Sequence, residues 1–317
     1  ISDVARLAGV STATVSHTIN QTRYVSEETR DKVYAAIREL GYTPDASARS
    51  FRTGKKKTIG FVVPDISSKF FGTMIETAED YLSAHGYHLI VSNSKESMER
   101  EENNIRLLTA GLVDGLLVAS TMDSFQRFDA LIPNGFPVVL VDRVFDTKKY
   151  SSVSVSNFQP IYRSVCRLVR KGDSRIGIIG GRPNLSRPSL ARLAGCQSAM
   201  LRLGLPFDME KQYAFARFSL SSGYEAMEYL LQHSPDITAV FAMSDLMALG
   251  AIRALQDHGL RVPQDISVTG YDGIALGRYS VPRLTTIRQD MEQLAQRSAR
   301  ILLHAIENPG SAVHEVV

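Results

Sequence analysis

Carboxylates, guanidinium groups and aromatic rings gather in this chain where a short apolar stretch runs out into polar residues. Asp65 and the run Ser67–Phe71 follow Ile59–Val63, Asp142 and Arg143 follow Val138–Val141, and Ser244 and Asp245 follow Ala239–Ala242. Tyr271-Asp-Gly273 closes Ile266–Gly270, Arg288-Gln-Asp290 follows Leu284–Ile287, and Arg192 lies early in a helical pattern after the Gly180-Gly-Arg-Pro183 loop. Acids and one or two guanidiniums converging on a cleft can fork onto vicinal hydroxyls, with Phe71 and Phe218 as apolar platforms for the C–H face of a sugar ring. Taken singly, Asp142 or Asp272 reads first as a strand-end turn or a helix-cap acid, and Phe70 as core. The set is what points to a ligand.

A second constellation sits at the amino end. Thr12, Ala13, Ser16 and His17 face away from an apolar pair, Val15 and Ile19, at helical spacing, with Thr14 at the edge. His17 can donate to a guanine N7 or O6, Ala13 can touch a thymine methyl, and the hydroxyls can reach bases or phosphates. Such a reading helix must be slim enough for the major groove and supported from behind. Three short helical patterns supply that support. The first is capped by Ser2 and carries Val4, Leu7 and Ala8; the second is capped by Ser11. The third opens at Ser26 with Glu27 and Glu28, carries Val33, Ile37 and Leu40, and stops at Gly41. Helix, tight turn, helix and a supporting third helix form the helix-turn-helix arrangement. A three-helix interaction module is the alternative reading of the pattern alone.

The charge distribution fits the first reading and equally a solvated basic linker ahead of the body. Residues 1–57 hold ten Lys/Arg against six Asp/Glu, a balance of +4, which leaves 26 against 27, or −1, for the other 260 of 317 residues. A small basic head on a faintly acidic body points to an anionic partner for the head alone. A composition of 44% apolar and 22% charged residues is that of a globular chain and excludes disordered and fibrous classes. The apolar runs are far below the ~20 residues of a membrane span. Cys166 and Cys196 are too few for a disulfide framework or a four-ligand zinc site and read as core. No secretory pattern opens the chain, so a cytoplasmic protein is expected.

From Thr58 the texture changes. About ten continuous apolar strands, from Ile59–Val63 to Leu284–Ile287, alternate with helical patterns near 70–85, 97–111, 189–204, 221–233, 245–258 and 290–307. This alternation predicts parallel sheets covered on both faces. Ten strands exceed one comfortable open sheet, and residues 143–158 form a natural crossover. The expected fold is therefore an all-α helix-turn-helix head and an α/β body of two doubly wound parallel-sheet lobes, with ligands at the strand carboxyl ends.

The head's residues also carry a resemblance. Asp3-Val-Ala-Arg-Leu-Ala-Gly-Val-Ser11, Ala13-Thr-Val-Ser16, Asn20, Val25-Ser26, Arg30, Val33, Ala36-Ile37, Leu40-Gly-Tyr42-x-Pro44 and Ala48-Arg-Ser50 resemble the opening of the lactose/galactose-repressor (LacI/GalR) family of bacterial transcription regulators. The likeness continues nearly to the chain's end. It implies a cytoplasmic homodimer, a repressor, that binds double-stranded operator DNA with an affinity set by a small-molecule effector, most readily a carbohydrate. The implied DNA-binding positions are Thr12, Ala13, Thr14, Ser16, His17 and Asn20, together with Ala48, Arg49, Phe51 and Arg52 of a short hinge helix that enters the minor groove. Phe51 stands where the family usually has leucine, and phenylalanine is also a competent wedge between base steps. The implied effector-binding residues are Ser68, Phe70, Phe71, Asp142, Arg143, Arg192, Phe218, Ser244, Asp272 and Gln289, in a periplasmic-sugar-binding-protein-like body. Lys69 replaces a common proline there, and Ser244 a frequent asparagine. The implied domains are residues 1–43 for the head, 44–57 for hinge and linker, and 58–317 for the effector-binding and dimerisation body. Its lobes are expected at about 58–157 with 288–317, and about 158–287.

Other signals carry less. Gly177-Ile-Ile-Gly-Gly181 is not a dinucleotide fingerprint, and His85-x-x-His88 spans a helix end and a strand start rather than one metal-binding face. No metal or cofactor is expected. A sugar transport receptor and a sugar-modifying enzyme using Asp142 and Asp272 as acid and base are the competing readings. The head argues against the first, and the lack of a nucleophile motif against the second.

Overall fold

The structure, a computed structural model, describes residues 1–20, 23–42, 54–182, 187–310 and 312–317, with Arg187 described by its backbone alone. The chain divides into two units, Ile1–Lys56 and Lys57–Val317.

The first unit carries α1 (Ser2–Ala8), α2 (Thr12–Asn20) and α3 (Glu27–Leu40). Gly9 and Gly41 end α1 and α3 in the left-handed conformation that glycine adopts without steric cost. Ser11 caps α2 by accepting the Thr14 amide at 3.1 Å, and Ser26 caps α3 by accepting the Thr29 amide. Ser2 does not cap α1: the N-cap is Ile1, without a side-chain bond, and Ser2 is the first helical residue. The core is built from Val4, Ala5, Ala8, Val15, Val33 and Ala36. Leu7 and Leu40, expected in the apolar stripes, are instead 46% and 45% exposed. With a core of small side chains the three helices approach closely, and the longer leucines are left at its edge.

The second unit begins with β1 (Thr58–Val63), α4 (Lys69–Ala84), β2 (His88–Asn93), α5 (Met98–Thr109), β3 (Gly115–Val118), α6 (Phe125–Asp129), β4 (Val138–Val141) and β5 (Ser151–Ser154). A second lobe follows, with α7 (Phe158–Arg170), β6 (Ile176–Gly180), α8 (Arg187–Arg202), α9 (Met209–Gln212), β7 (Tyr213–Phe215), α10 (Leu220–His233), β8 (Ala239–Ala242), α11 (Asp245–Asp257), β9 (Ser267–Asp272), α12 (Leu276–Tyr279) and β10 (Thr285–Arg288). The chain then returns to the first lobe with α13 (Met291–Glu307) and β11 (His314–Val316). All described pairings are parallel, in the orders β11-β5-β4-β3-β1-β2 and β10-β9-β8-β6-β7.

Period-two alternation explains the layering of the first lobe. Phe61, Leu117 and Val139 point to the α4 and α13 side, where Met74, Leu82 and Leu302 meet them. Val62, Leu116 and Leu140 point to the opposite side, toward Ile105, Leu108 and Phe128. In the second lobe α10 and α11 cross very closely. A Cβ on Gly250 would lie 2.0 Å from the Leu220 carbonyl oxygen, and one on Gly223 2.4 Å from that of Met247. Two glycines therefore seat the start of α10 against α11, which fixes the loop before each.

Eleven strands are formed among the described residues. The sequence reading missed β7 and β11, which are only three residues long, and it placed no helix at α7. Pro160 in the first turn of α7 masks a stripe of Ile161, Val165 and Leu168. The crossover expected over 143–158 narrows to residues 155–157, because β5 already belongs to the first sheet. β10 extends the second lobe through Arg288, so the return falls at 289–290 rather than before 288.

Candidate functional site

On the head, Thr12 and Ala13 are exposed, while Thr14, Ser16, His17 and Asn20 are half-buried. Val15 and Thr18 hold the opposite side of α2 inward. The Thr14 and Ser11 hydroxyls lie 2.9 Å apart, which ties Thr14 to the cap. Asn20 Nδ2 donates to the Ser16 carbonyl at 2.8 Å, so Asn20 closes the helix end. The outward row that remains is made of short side chains and one imidazole, which suits a groove surface. The hinge positions Ala48, Arg49, Phe51 and Arg52 lie outside the described residues.

In the body, the carboxyl ends of strands from both lobes meet around a polar cavity of about 70 Å³. Nine expected residues line it: Ser68, Phe70 and Phe71 at the start of α4, Asp142 and Arg143 after β4, Arg192 on α8, Phe218 before α10, Ser244 before α11 and Asp272 at the end of β9. Gln289 does not line it. It is buried behind Asp272, donating from Nε2 to Asp272 Oδ1 at 2.7 Å and from its amide to the Asp272 carbonyl at 3.0 Å.

Arg192 is the most constrained of these groups. Its Nε donates to Asn157 Oδ1 and its Nη1 to the Met243 carbonyl, each at 2.8 Å, and the guanidinium lies 4.0 Å from the Tyr271 ring centroid. Tyr271 O–H donates to the same Asn157 oxygen at 2.8 Å. The guanidinium thus stands rigidly between two buried acids. Burial pushes the Asp142 carboxyl upward, opposed by the charges of Arg192 and Arg143. Burial raises Asp272 to about 8, again opposed first by Arg192. Among the described residues, Asp142 Oδ1 on the cavity wall and Gln289 Oε1 behind it are buried without a hydrogen-bond partner, and for Asp142 a polar ligand or water in the cavity would supply one.

Several neighbours support rather than contact. Asp245, fully buried, accepts the amides of Gly273 and Ile274 at 2.8 Å each and the Thr286 hydroxyl at 2.5 Å. It holds the turn that aims Asp272, while burial raises its own carboxyl to about 6. Ser244 spends its hydroxyl on capping α11, accepting the Met247 amide at 3.3 Å. Arg143 is held by Glu96 through two hydrogen bonds of 2.8 and 2.9 Å. Phe70 and Phe71 meet edge to face at 5.0 Å and belong equally to the core and to the cavity wall.

Backbone conformation marks the same place. Six non-glycine residues among those described have positive φ, and five of them border this cleft: Lys95, Glu96, Asp142, Phe218 and Asp272. Such conformations cost of order 1–3 kcal/mol each and persist where function over-determines them.

Comparison with known proteins decides what these two sites belong to. Residues 1–45 match the family described as "Bacterial regulatory proteins, lacI family", and residues 165–317 match a "Periplasmic binding protein-like domain". The chain is 37% identical over 307 residues to the HTH-type transcriptional repressor PurR of Pasteurella multocida, which covers 96% of this chain and 91% of that one. This chain belongs to the lacI family. Among solved structures, the Lac repressor dimer bound to operator and the anti-inducer ONPF is 29% identical, with a TM-score of 0.87 and coverage of 99% and 94%. The complex of the regulator CelR with cellobiose is 31% identical, with a TM-score of 0.76 and coverage of 99% and 95%. The protein is accordingly a sequence-specific DNA-binding transcription regulator, with a helix-turn-helix head and a two-lobed body for a small-molecule effector.

For a lacI-family regulator, sequence reasoning missed part of the cleft wall. Glu96, Ser189 and Arg217 also line the cavity. Glu96 lies just past the end of β2, so the strand-end rule that found Asp142 would have found it too. Arg217 follows β7, and overlooking that strand hid it. Asn157, which fastens both Arg192 and Tyr271, sits in the crossover and carries no local pattern.

Proposed function

We propose that this lacI-family regulator works in the cytoplasm as a homodimeric repressor on a near-palindromic operator, with a carbohydrate held between the lobes controlling its grip. The observation that carries the carbohydrate reading is the Asp142–Arg192–Asp272 arrangement. Two buried acids and a fixed guanidinium line one cavity and offer acceptors and donors to neighbouring hydroxyls, and Phe71 and Phe218 supply apolar wall. Asp142 belongs to the first lobe, Arg192 and Asp272 to the second. A polyol bonded to both lobes favours one lobe arrangement over the other, and that difference in affinity is the source of control over the hinges and heads. The acids serve as ligand acceptors, and no turnover of the effector is expected.

Thr12, Ala13, Ser16 and His17 are the proposed base-reading residues, and Ala48, Arg49, Phe51 and Arg52 the proposed minor-groove contacts. Two features support a dimer built through the body. Tyr279 and Val281, two positions apart, are 83% and 85% exposed, and Ile90 and Val91 lie exposed on the edge strand β2. Exposed apolar groups clustered in this way mark association surfaces. A thermal-shift screen of pentoses, hexoses, their phosphates and nucleobases tests the effector class, because a tight ligand raises the melting temperature by mass action. A carbohydrate is expected to stabilise the body. Stabilisation by a nucleobase alone contradicts the carbohydrate reading.

A further inference from the structure

The inner cavity adjoins a groove of 830 Å³ that shares Asp65, Glu96, Arg143, Ser189, Arg217 and Phe218 with it. The rest of the groove differs in kind from the inner cavity. Lys95 reaches it from the loop after β2 and Arg182 from the end of β6, and the shared Arg217 joins them from the end of β7. Of the two acids on the groove, one is paired with an arginine and the other bonds a serine. Glu96 is forked onto Arg143, and Asp65 accepts the Ser67 amide at 2.9 Å and the Ser67 hydroxyl at 2.7 Å. Lys95 and Arg217 use their backbone amides, on Asn93 and Ser222, and their charged ends make no ion pair among the described residues. Arg182 lies 5.3 Å from the centroid of the half-exposed Phe215 ring. Lys95 and Glu96 both hold positive φ, at 51° and 55°, so the backbone that places this cation is itself constrained.

Resting on the carbohydrate reading above, we infer that this groove is an anion subsite and that the effector is a carbohydrate bearing a phosphate ester. Its polyol end lies between Asp142, Arg192 and Asp272, and its phosphate lies among Lys95, Arg182 and Arg217. A phosphate accepts several charge-assisted hydrogen bonds at once and suits the arginine fork. A neutral second sugar in the groove would strip water from three cations and return no counter-charge. The cations also come from both lobes, Lys95 from the first and Arg182 and Arg217 from the second. A phosphate held from both sides thereby contributes directly to lobe closure.

The test is calorimetric titration of the full chain with matched pairs: ribose and ribose 5-phosphate, glucose and glucose 6-phosphate, fructose and fructose 6-phosphate. Cellobiose and inorganic phosphate complete the panel. At least one phosphate is expected to bind ~10-fold or more tightly than its parent sugar, with the ratio shrinking as salt rises. Lys95→Gln combined with Arg182→Gln should bring that ratio close to one, and Arg182→Lys should keep most of it; unliganded melting temperatures report that each variant is folded. A parent sugar or cellobiose binding as tightly as any phosphate overturns the subsite and leaves the carbohydrate reading standing. So does an unchanged ratio in the double variant, or inorganic phosphate alone matching the sugar phosphate. Binding by no carbohydrate of either kind overturns both.

Discussion

The head and the body of this chain solve recognition under opposite electrostatic conditions. Among its described residues the head has no fully buried apolar side chain larger than valine, whereas the body buries Tyr271, Phe61, Phe128 and Phe241 completely. A small core yields little stability, so the head cannot support buried charge and keeps its chemistry on a solvated face of short side chains. The large body can hold Asp142, Asp272 and Arg192 away from water and keep five residues bordering the cleft at positive φ. Operator affinity should therefore fall steeply with salt, and the inner effector cavity should respond to pH instead.

The strongest way to break this contrast is Arg192→Ala. It removes the guanidinium donor from Asn157 Oδ1 and from the Met243 carbonyl, and it takes away the positive charge that opposes the upward shift of Asp142 and Asp272. Body stability should drop by about 3–5 kcal/mol, and the effector response should vanish while operator binding persists. Retained effector affinity in calorimetry would remove Arg192 from the site. Next in size is pH. The folded body keeps a proton on Asp272 up to about 8, whereas an unfolded aspartate gives it up near 3.8. Body stability should therefore decline as pH rises from about 4 to about 8, by at most ~1.4 kcal/mol per unit for this group, and then level off. Asp245 adds a decline of the same sign between about 4 and 6. Asp272→Asn should flatten the slope between pH 6 and 8 in thermal melts; an unaltered slope contradicts the assignment.

Smaller effects sharpen the head's side of the comparison. His17→Ala should cost about 1–3 kcal/mol at one base position and little elsewhere; equal loss on random DNA contradicts base reading. Val33→Ala opens a gap in the head's core and should lower the head's unfolding transition by about 1–2 kcal/mol without moving the body's. A common shift of both transitions in scanning calorimetry would show that the two units do not unfold independently.

Much of this architecture was legible in the residues, for physical reasons. Fully buried parallel strands must be continuously apolar, so Ile59–Val63, Val138–Val141 and Ala239–Ala242 announced themselves, and the polar residues at their ends marked the cleft. The short strand His314–Val316 is set by pairing with a neighbour distant in sequence, and local pattern gives no sign of it, whereas Tyr213–Phe215 opens an apolar run that was passed over for its shortness. The same limit applies to roles within the site. Gln289 looked like a cleft residue because it follows a strand, yet only the tertiary fold turns it behind Asp272. Ser244 looked like a ligand contact and serves first as a helix cap. Positive φ at Asp142, Phe218 and Asp272 could not be read from residue type, since none of them is glycine.

The central claim, that occupancy of the cleft sets the grip of the head, is tested most directly by titrating full-length protein onto its operator with and without the ligand found by thermal shift. The operator dissociation constant should change by tenfold or more at saturating ligand, with the change lost in Arg192→Ala. An identical constant in the presence and absence of a ligand that demonstrably fills the cleft would contradict the account.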